Sequence, residues 1–136
     1  MKKELKISII TVTKNSEKYL EENILSVSNQ SYKNYEHIII DGNSTDQTKN
    51  IITKNKEKIS YWISEPDQGL YFAMNKGIKK ATGDIIGILN SDDIFYPEAL
   101  GIVNKYFTFD KKLDFLFGSV YKHKLMHGYK PNKIKW

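Results

Sequence analysis

The chain has 136 residues, enough for one hydrophobic core and too few for two full-sized domains. It contains no cysteine, which excludes disulfides and thiolate metal sites, and no apolar run near the roughly 20 residues that span a bilayer. The net charge of +5 rests on lysine alone, spread along the whole chain; planar recognition of phosphate and guanine recruits arginine, so a nucleic-acid surface is not expected.

In chain order, apolar strand-like segments alternate with helix-like ones. Lys6 to Val12 (KISIITV) reads as a buried strand. From Ser16 to about Gln30, Leu20, Ile24 and Val27 recur at helical spacing, with Asn15 or Ser16 as the cap. Tyr35 to Ile40 (YEHIII) is a second strand, and the capping-box spacing of Ser44-Thr45-Asp46-Gln47 opens a helix to about Lys56. A short strand, Ile59 to Ser64, ends at the break Pro66-Asp67-Gln68-Gly69. Leu70, Ala73, Met74, Gly77, Ile78 and Ala81 then form one helical stripe, which Gly83 ends. Asp84 to Leu89 is a fourth strand, Pro97 to about Phe107 a fourth helix, and Asp114 to Val120 (DFLFGSV) a fifth strand.

Strict alternation of strand and helix means βαβ crossovers. The expected fold is an α/β domain over residues 1–136, an open, mostly parallel sheet with helices on both faces. The unbroken apolar strands agree, because strands buried on both faces do not alternate inward and outward.

Ligands of such sheets bind beyond the carboxyl ends of the strands, where the strand order reverses. The segments that follow the first four strands are Thr11-Val12-Thr13-Lys14-Asn15, Asp41-Gly42-Asn43-Ser44-Thr45-Asp46, Glu65-Pro66-Asp67-Gln68-Gly69 and Asn90-Ser91-Asp92-Asp93. Small polar residues and carboxylates thus gather at one edge. Asp41 to Asp46 also fits a plain turn followed by a helix cap, and Asp92-Asp93 also fits a solvated turn. Adjacent carboxylates are otherwise stabilised by a shared cation, and hard oxygen ligands suit Mg²⁺ or Mn²⁺ held together with substrate phosphates. No Gly-rich dinucleotide turn and no Walker-type loop is present. His123 and His127 are four apart, but the run around them lacks a helical period, so a zinc site is not expected there.

The strings SIITVTKN, IIIDGNSTDQT and SEPDQGLYFAMNKGIKKATGDIIGILNSDD, in this order and spacing, resemble the family-2 glycosyltransferases of the GT-A fold. The resemblance covers nearly the whole chain. It implies that Thr11, Thr13, Asn15 and Asp41 hold the nucleobase and ribose, and that Asn75 and Gly77 lie near the nucleotide. It also implies that a D-x-D element binds the diphosphate through a divalent metal, Mg²⁺ or Mn²⁺. That element is Asn90-Ser91-Asp92 here, which leaves Asp92 as the metal ligand, with Ser91 and with Asp93 on the donor-sugar side. Phe72 stands where relatives usually carry Asp, so a polar role is not carried over to it.

The function so implied is metal-assisted, inverting transfer of a sugar from a nucleotide-diphosphate donor to the hydroxyl of a glycan or lipid-linked acceptor, in polysaccharide biosynthesis. The resemblance places the catalytic base well downstream of the D-x-D element, and the chain ends at Lys135-Trp136 inside what reads as a continuing segment. No catalytic residue is therefore expected in these 136, and the alternative is a nucleotide-sugar-binding fragment without turnover. The N-terminus, Met1-Lys2-Lys3-Glu4, runs straight into a strand without a signal-peptide core. The expected location is the cytoplasm, free or peripheral at the inner face of the cell membrane.

Overall fold

The computed structural model describes residues 4–119. Strands β1 (Ile7–Thr13), β2 (Tyr35–Asp41), β3 (Tyr61–Ser64) and β4 (Ile85–Ile88) form one parallel sheet in the order β3-β2-β1-β4. Helices α1 (Leu20–Ser28), α2 (Thr48–Lys54), α3 (Leu70–Lys80) and α4 (Ala99–Phe109) fill the crossovers and follow β4. One turn of 3₁₀ helix, Lys56–Lys58, leads into β3.

Period-two alternation explains how the apolar strands are used on both faces. Ile7 and Ile9 of β1 pack with Val27 of α1 and Leu100 of α4, and Ile39 of β2 packs with Leu20, Ile24 and Ile52. The alternate residues Ile10, Ile38 and Ile40 face α3 through Ala73. Three helices thus cover one face and α3 the other. Cover on the α3 side stops short of β4, where Ile86 and Ile88 each remain 44% exposed.

Small residues let α3 lie close to the sheet. A Cβ on Gly77 would sit 2.5 Å from Cγ2 of Ile10, an overlap that only glycine avoids. The residue that the family resemblance places near the nucleotide therefore serves here as a packing contact under the helix.

Three local expectations differ. Helix α1 begins at Leu20, after a turn in which the Ser16 carbonyl accepts from the N–H groups of Tyr19 and Leu20. Helix α2 begins at Thr48, because the Ser44 hydroxyl is taken by Asp41; Asp46 bonds the first turn instead, accepting from Thr48 N at 2.9 Å. Residues 114–119 are not a strand: they pair with no neighbour among the described residues, and Phe115 and Phe117 are 77% and 82% exposed. Their apolar alternation reports readiness for burial, whereas a strand also needs a partner for its backbone groups. Val120, His123 and His127 lie outside the described residues.

Candidate functional site

Strand β1 has β2 on one side and β4 on the other, so the chain leaves its carboxyl end at the reversal of strand order. A cleft of about 360 Å³ opens there, lined by Val12 to Lys14, Ser16, Gly42, Asp67, the start of α3 and Asn90-Ser91. The Ser16 and Ser91 hydroxyls meet at 3.0 Å across the gap between the β1 and β4 loops.

The loops after β1 and β2 are fastened to each other. Asn15 adopts a left-handed backbone (φ 49°), which asparagine tolerates. Its N–H donates to Ser44 Oγ at 2.8 Å, and its Oδ1 accepts from Thr45 N at 2.9 Å. Ser16 N donates to Thr48 Oγ1 at 2.8 Å.

Asp41 is buried, with both carboxylate oxygens engaged: Oδ2 accepts from Ser44 N and the Ser64 hydroxyl, and Oδ1 accepts from the Ser44 hydroxyl. Thr11 is buried on the α1 side, its hydroxyl 2.9 Å from His37 Nε2 and 3.4 Å from Asn23 Oδ1. Burial drives the His37 pKa down from 6.5 to about 3, so the ring is neutral.

The acidic turn after β4 is clamped from below. Asn23, fully buried on α1, donates through Nδ2 to the carbonyls of Asn90 (2.8 Å) and Asp93 (2.9 Å). Asp92 and Asp93 stand exposed at the top of this turn. Partial burial and, after it, the charge of Asp92 raise the pKa of Asp93 above the usual carboxylate value.

On the β3 side, Asp67 is nearly buried (side chain 7% exposed). Its Oδ1 pairs with Lys76 Nζ of α3, which also reaches Glu65 Oε1 at 2.6 Å. Hydrogen bonds that Lys76 donates, first to Asp67 and then to Glu65, raise its pKa, so it is firmly cationic. Asp67 Oδ2 and the Thr13 hydroxyl are buried and without a hydrogen-bond partner among the described residues.

Of the residues expected from the sequence, Thr13 and Ser91 line the cleft, with Asp92 and Asp93 on the turn beside it. Asn15 holds two loops together, while Thr11 and Asp41 spend their polar atoms inside the fold. Asn75 is exposed, two positions from Ala73 and from Gly77, on the far side of α3 from the sheet. Asn23 and Asp67 were not singled out as binding residues. Asn23 had a legible signal, a polar residue three after Leu20 on the buried stripe; Asp67 had none beyond its place after a strand.

Comparisons with known proteins bear on the family and the fold. The family model Glycosyl transferase family 2 matches residues 8–135. An uncharacterized glycosyltransferase of Haemophilus influenzae is 44% identical over 98 residues, which cover 69% of this chain and 39% of that protein. The putative teichuronic acid biosynthesis glycosyltransferase TuaG of Bacillus subtilis is 33% identical over 81% of this chain and 41% of its own length. The chain thus spans well under half of these curated relatives. Among solved structures, S. aureus TarS 1–349 in complex with UDP-GlcNAc matches with a TM-score of 0.70 and 30% identity, covering 75% of this chain and 31% of that one. Glucosyl-3-phosphoglycerate synthase from Mycobacterium tuberculosis, in complex with Mn²⁺, UDP and phosphoglyceric acid, matches with a TM-score of 0.57 and 25% identity over 66% of this chain and 34% of that one.

Proposed function

The chain belongs to glycosyl transferase family 2 and has its GT-A fold, and from that premise we propose that the cleft binds the nucleotide diphosphate of an activated sugar. The carrying observation is that an uncapped helix start and an acidic turn share one cleft. Gly69 and Leu70 begin α3 with no side-chain cap and line the cleft together with Asn90 and Ser91. Backbone N–H groups of a first helical turn have no intrahelical partner and favour an anion. Gly69 holds φ at +128°, a conformation that L side chains rarely adopt.

Among the described residues Lys14 is the one basic residue in the cleft lining, and the chain has no arginine, so a diphosphate calls for further positive charge. No group of three or more His, Asp or Glu that could hold a metal occurs among the described residues. Mg²⁺ and Mn²⁺ do not require one, since they bind through one or two carboxylates and complete their shell with phosphate and water. The exposed pair Asp92-Asp93, with its unfavourable neighbouring charges, fits that mode. Asp92 would hold the ion, with Asp93 toward the sugar, and when bound the ion neutralises the charge that develops on the leaving diphosphate. Asn23 and Ser16 position the turn, and Thr13 lines the nucleoside end. The UDP-GlcNAc complex of TarS and the Mn²⁺ and UDP complex of the synthase support donor and metal alike.

In the whole protein the acceptor hydroxyl attacks the anomeric carbon with inversion. The bond to the diphosphate breaks, and the hydroxyl proton passes to a carboxylate base. A glycan or lipid-linked acceptor in polysaccharide biosynthesis suits this chemistry, and the TuaG likeness supports it. These 136 residues are best read as the donor-binding part, with the base and acceptor site supplied elsewhere in the protein. The observation favouring this is that the chain spans only 39% and 41% of the length of the two curated relatives above.

Calorimetry with UDP and GDP, in Mn²⁺ and in EDTA, tests the reading. Affinity should fall sharply in EDTA, and Asp92→Ala should abolish the difference. Equal affinity in both buffers removes the metal role, and the absence of any nucleotide binding removes the proposal. Nucleotide release by the isolated chain with a panel of donors and acceptors should stay at background; sustained turnover would place the base within these residues.

A further inference from the structure

We propose that Asp67 reads the nucleobase of the donor, accepting the N3–H of a uracil ring on Oδ2. The inference rests on the donor-binding reading above and goes beyond it to the base and the atom that selects it. Asp67 follows β3 and lines the cleft on the side formed by Thr13, Lys14 and Gly42. Its Oδ2 lies 3.6 Å from the position a Cβ on Gly42 would occupy. This is the nucleoside side, because the start of α3 and the Asp92-Asp93 turn claim the phosphates.

A carboxylate oxygen left buried and unpaired costs free energy, and native structures rarely leave one so. Asp67 has one such oxygen, since Oδ1 is held by Lys76. One free acceptor matches one N–H donor. Uracil presents a single N–H between two carbonyls. Cytosine presents a ring nitrogen lone pair at that position, which the carboxylate repels. Guanine presents an N–H beside an amino group and needs both carboxylate oxygens for a paired contact. The Thr13 hydroxyl, the other buried orphan in the cleft lining, is a donor suited to a uracil carbonyl. Asp41, which the family resemblance implies for this task, has no oxygen to spare.

The neighbouring cation makes the substitution Asp67→Asn informative. Lys76 is a donor and holds the amide oxygen of the new side chain toward itself. The amide NH₂ then points into the cleft, where it opposes the uracil N–H and matches the cytosine lone pair.

The experiment is calorimetry in Mn²⁺ with UDP, CDP, GDP and N3-methyl-UDP on the native chain, and with UDP and CDP on Asp67→Asn, alongside thermal melts. The native chain should bind UDP about ten- to a hundredfold more tightly than CDP, GDP or N3-methyl-UDP, the span expected for a hydrogen bond to a charged group. Asp67→Asn should lose UDP affinity by a similar factor and gain affinity for CDP. Native binding of UDP and N3-methyl-UDP with equal affinity overturns the assignment without touching the protein, so it holds even if the variant does not fold. An unchanged UDP-to-CDP ratio in a folded Asp67→Asn overturns it as well. If the native chain binds no nucleotide, the donor-binding reading falls and this assignment with it, whereas nucleotide binding without base preference sinks this assignment alone.

Discussion

The Ser16 and Ser91 hydroxyls lie 3.0 Å apart, one just beyond β1 and the other just beyond β4. Their sequence positions differ by 75 residues, and their contact joins the two loops that splay apart where the strand order reverses. The acidic turn after β4 is therefore anchored twice, by Ser16 at its side and by Asn23 beneath it.

Asn23→Ala is expected to lower stability by about 1–3 kcal/mol, since it removes the donor shared by the Asn90 and Asp93 carbonyls. The turn that presents Asp92 loses its fixed geometry, so Mn²⁺-dependent UDP affinity should fall as well. Urea unfolding and calorimetry read the two effects separately. A stability loss with unchanged UDP affinity would limit Asn23 to the scaffold.

Asp41→Asn should act on stability and leave base preference alone. Three donors converge on this buried carboxylate; an amide can keep its oxygen toward Ser44 N and Ser64, but its NH₂ then replaces the acceptor of the Ser44 hydroxyl and the charge that strengthens all three bonds is lost. A loss of about 2–3 kcal/mol is expected in urea unfolding. The ratio of UDP to CDP affinity should persist, and its collapse would return Asp41 to the base-reading role.

Acid should weaken the fold in two windows. The folded-state pKa of His37 is depressed from 6.5 to about 3, so the unfolded chain binds the extra proton, and stability is lost as pH falls from 6.5 toward about 3. Glu36 acts in the same direction lower down. Burial opposes its ionisation, but hydrogen bonds from Ser8, Thr82 and Lys6 prevail and take its pKa from 4.5 to about 2. Its stabilisation is present above 4.5 and is lost as pH falls toward about 2. One proton corresponds to about 1.4 kcal/mol per pH unit. Unfolding between pH 7.5 and 4.5 should show such a slope, and His37→Gln should flatten it over the upper window.

Gly77→Ala is expected to destabilise despite the better helix propensity of alanine. The gain is about 0.5–1 kcal/mol, whereas the added methyl meets Ile10, a β-branched and fully buried residue that cannot swing aside. Overpacking of this kind costs about 1–3 kcal/mol. Thermal melts should show a lower midpoint; an unchanged or raised midpoint would show that α3 lifts from the sheet without cost.

The layer architecture was legible in the sequence because burial on both faces forces unbroken apolar strands, as in Ile38-Ile39-Ile40, and one-sided burial forces the stripe Ala73, Gly77, Ala81. These patterns are local, and so is the turn chemistry that places polar residues after each strand. The segment 114–119 carried the same local signal and misled, because pairing depends on a partner that apolarity cannot supply.

The sequence alone therefore determined the order of elements, the edge at which the polar loops gather and, through the quoted motifs, the family. Only the tertiary structure decided which polar atoms remain available to a ligand. Asp41 and Asp67 are both carboxylates at the carboxyl ends of strands, and nothing in their immediate neighbours ranks one above the other. Ser64 lies 23 residues from Asp41 and adds a second donor to its Oδ2, so both oxygens of Asp41 are engaged, while Lys76 takes only one oxygen of Asp67. Whether a carboxylate oxygen is engaged or left without a donor thus depends on contacts between distant segments and is set only once they are folded together.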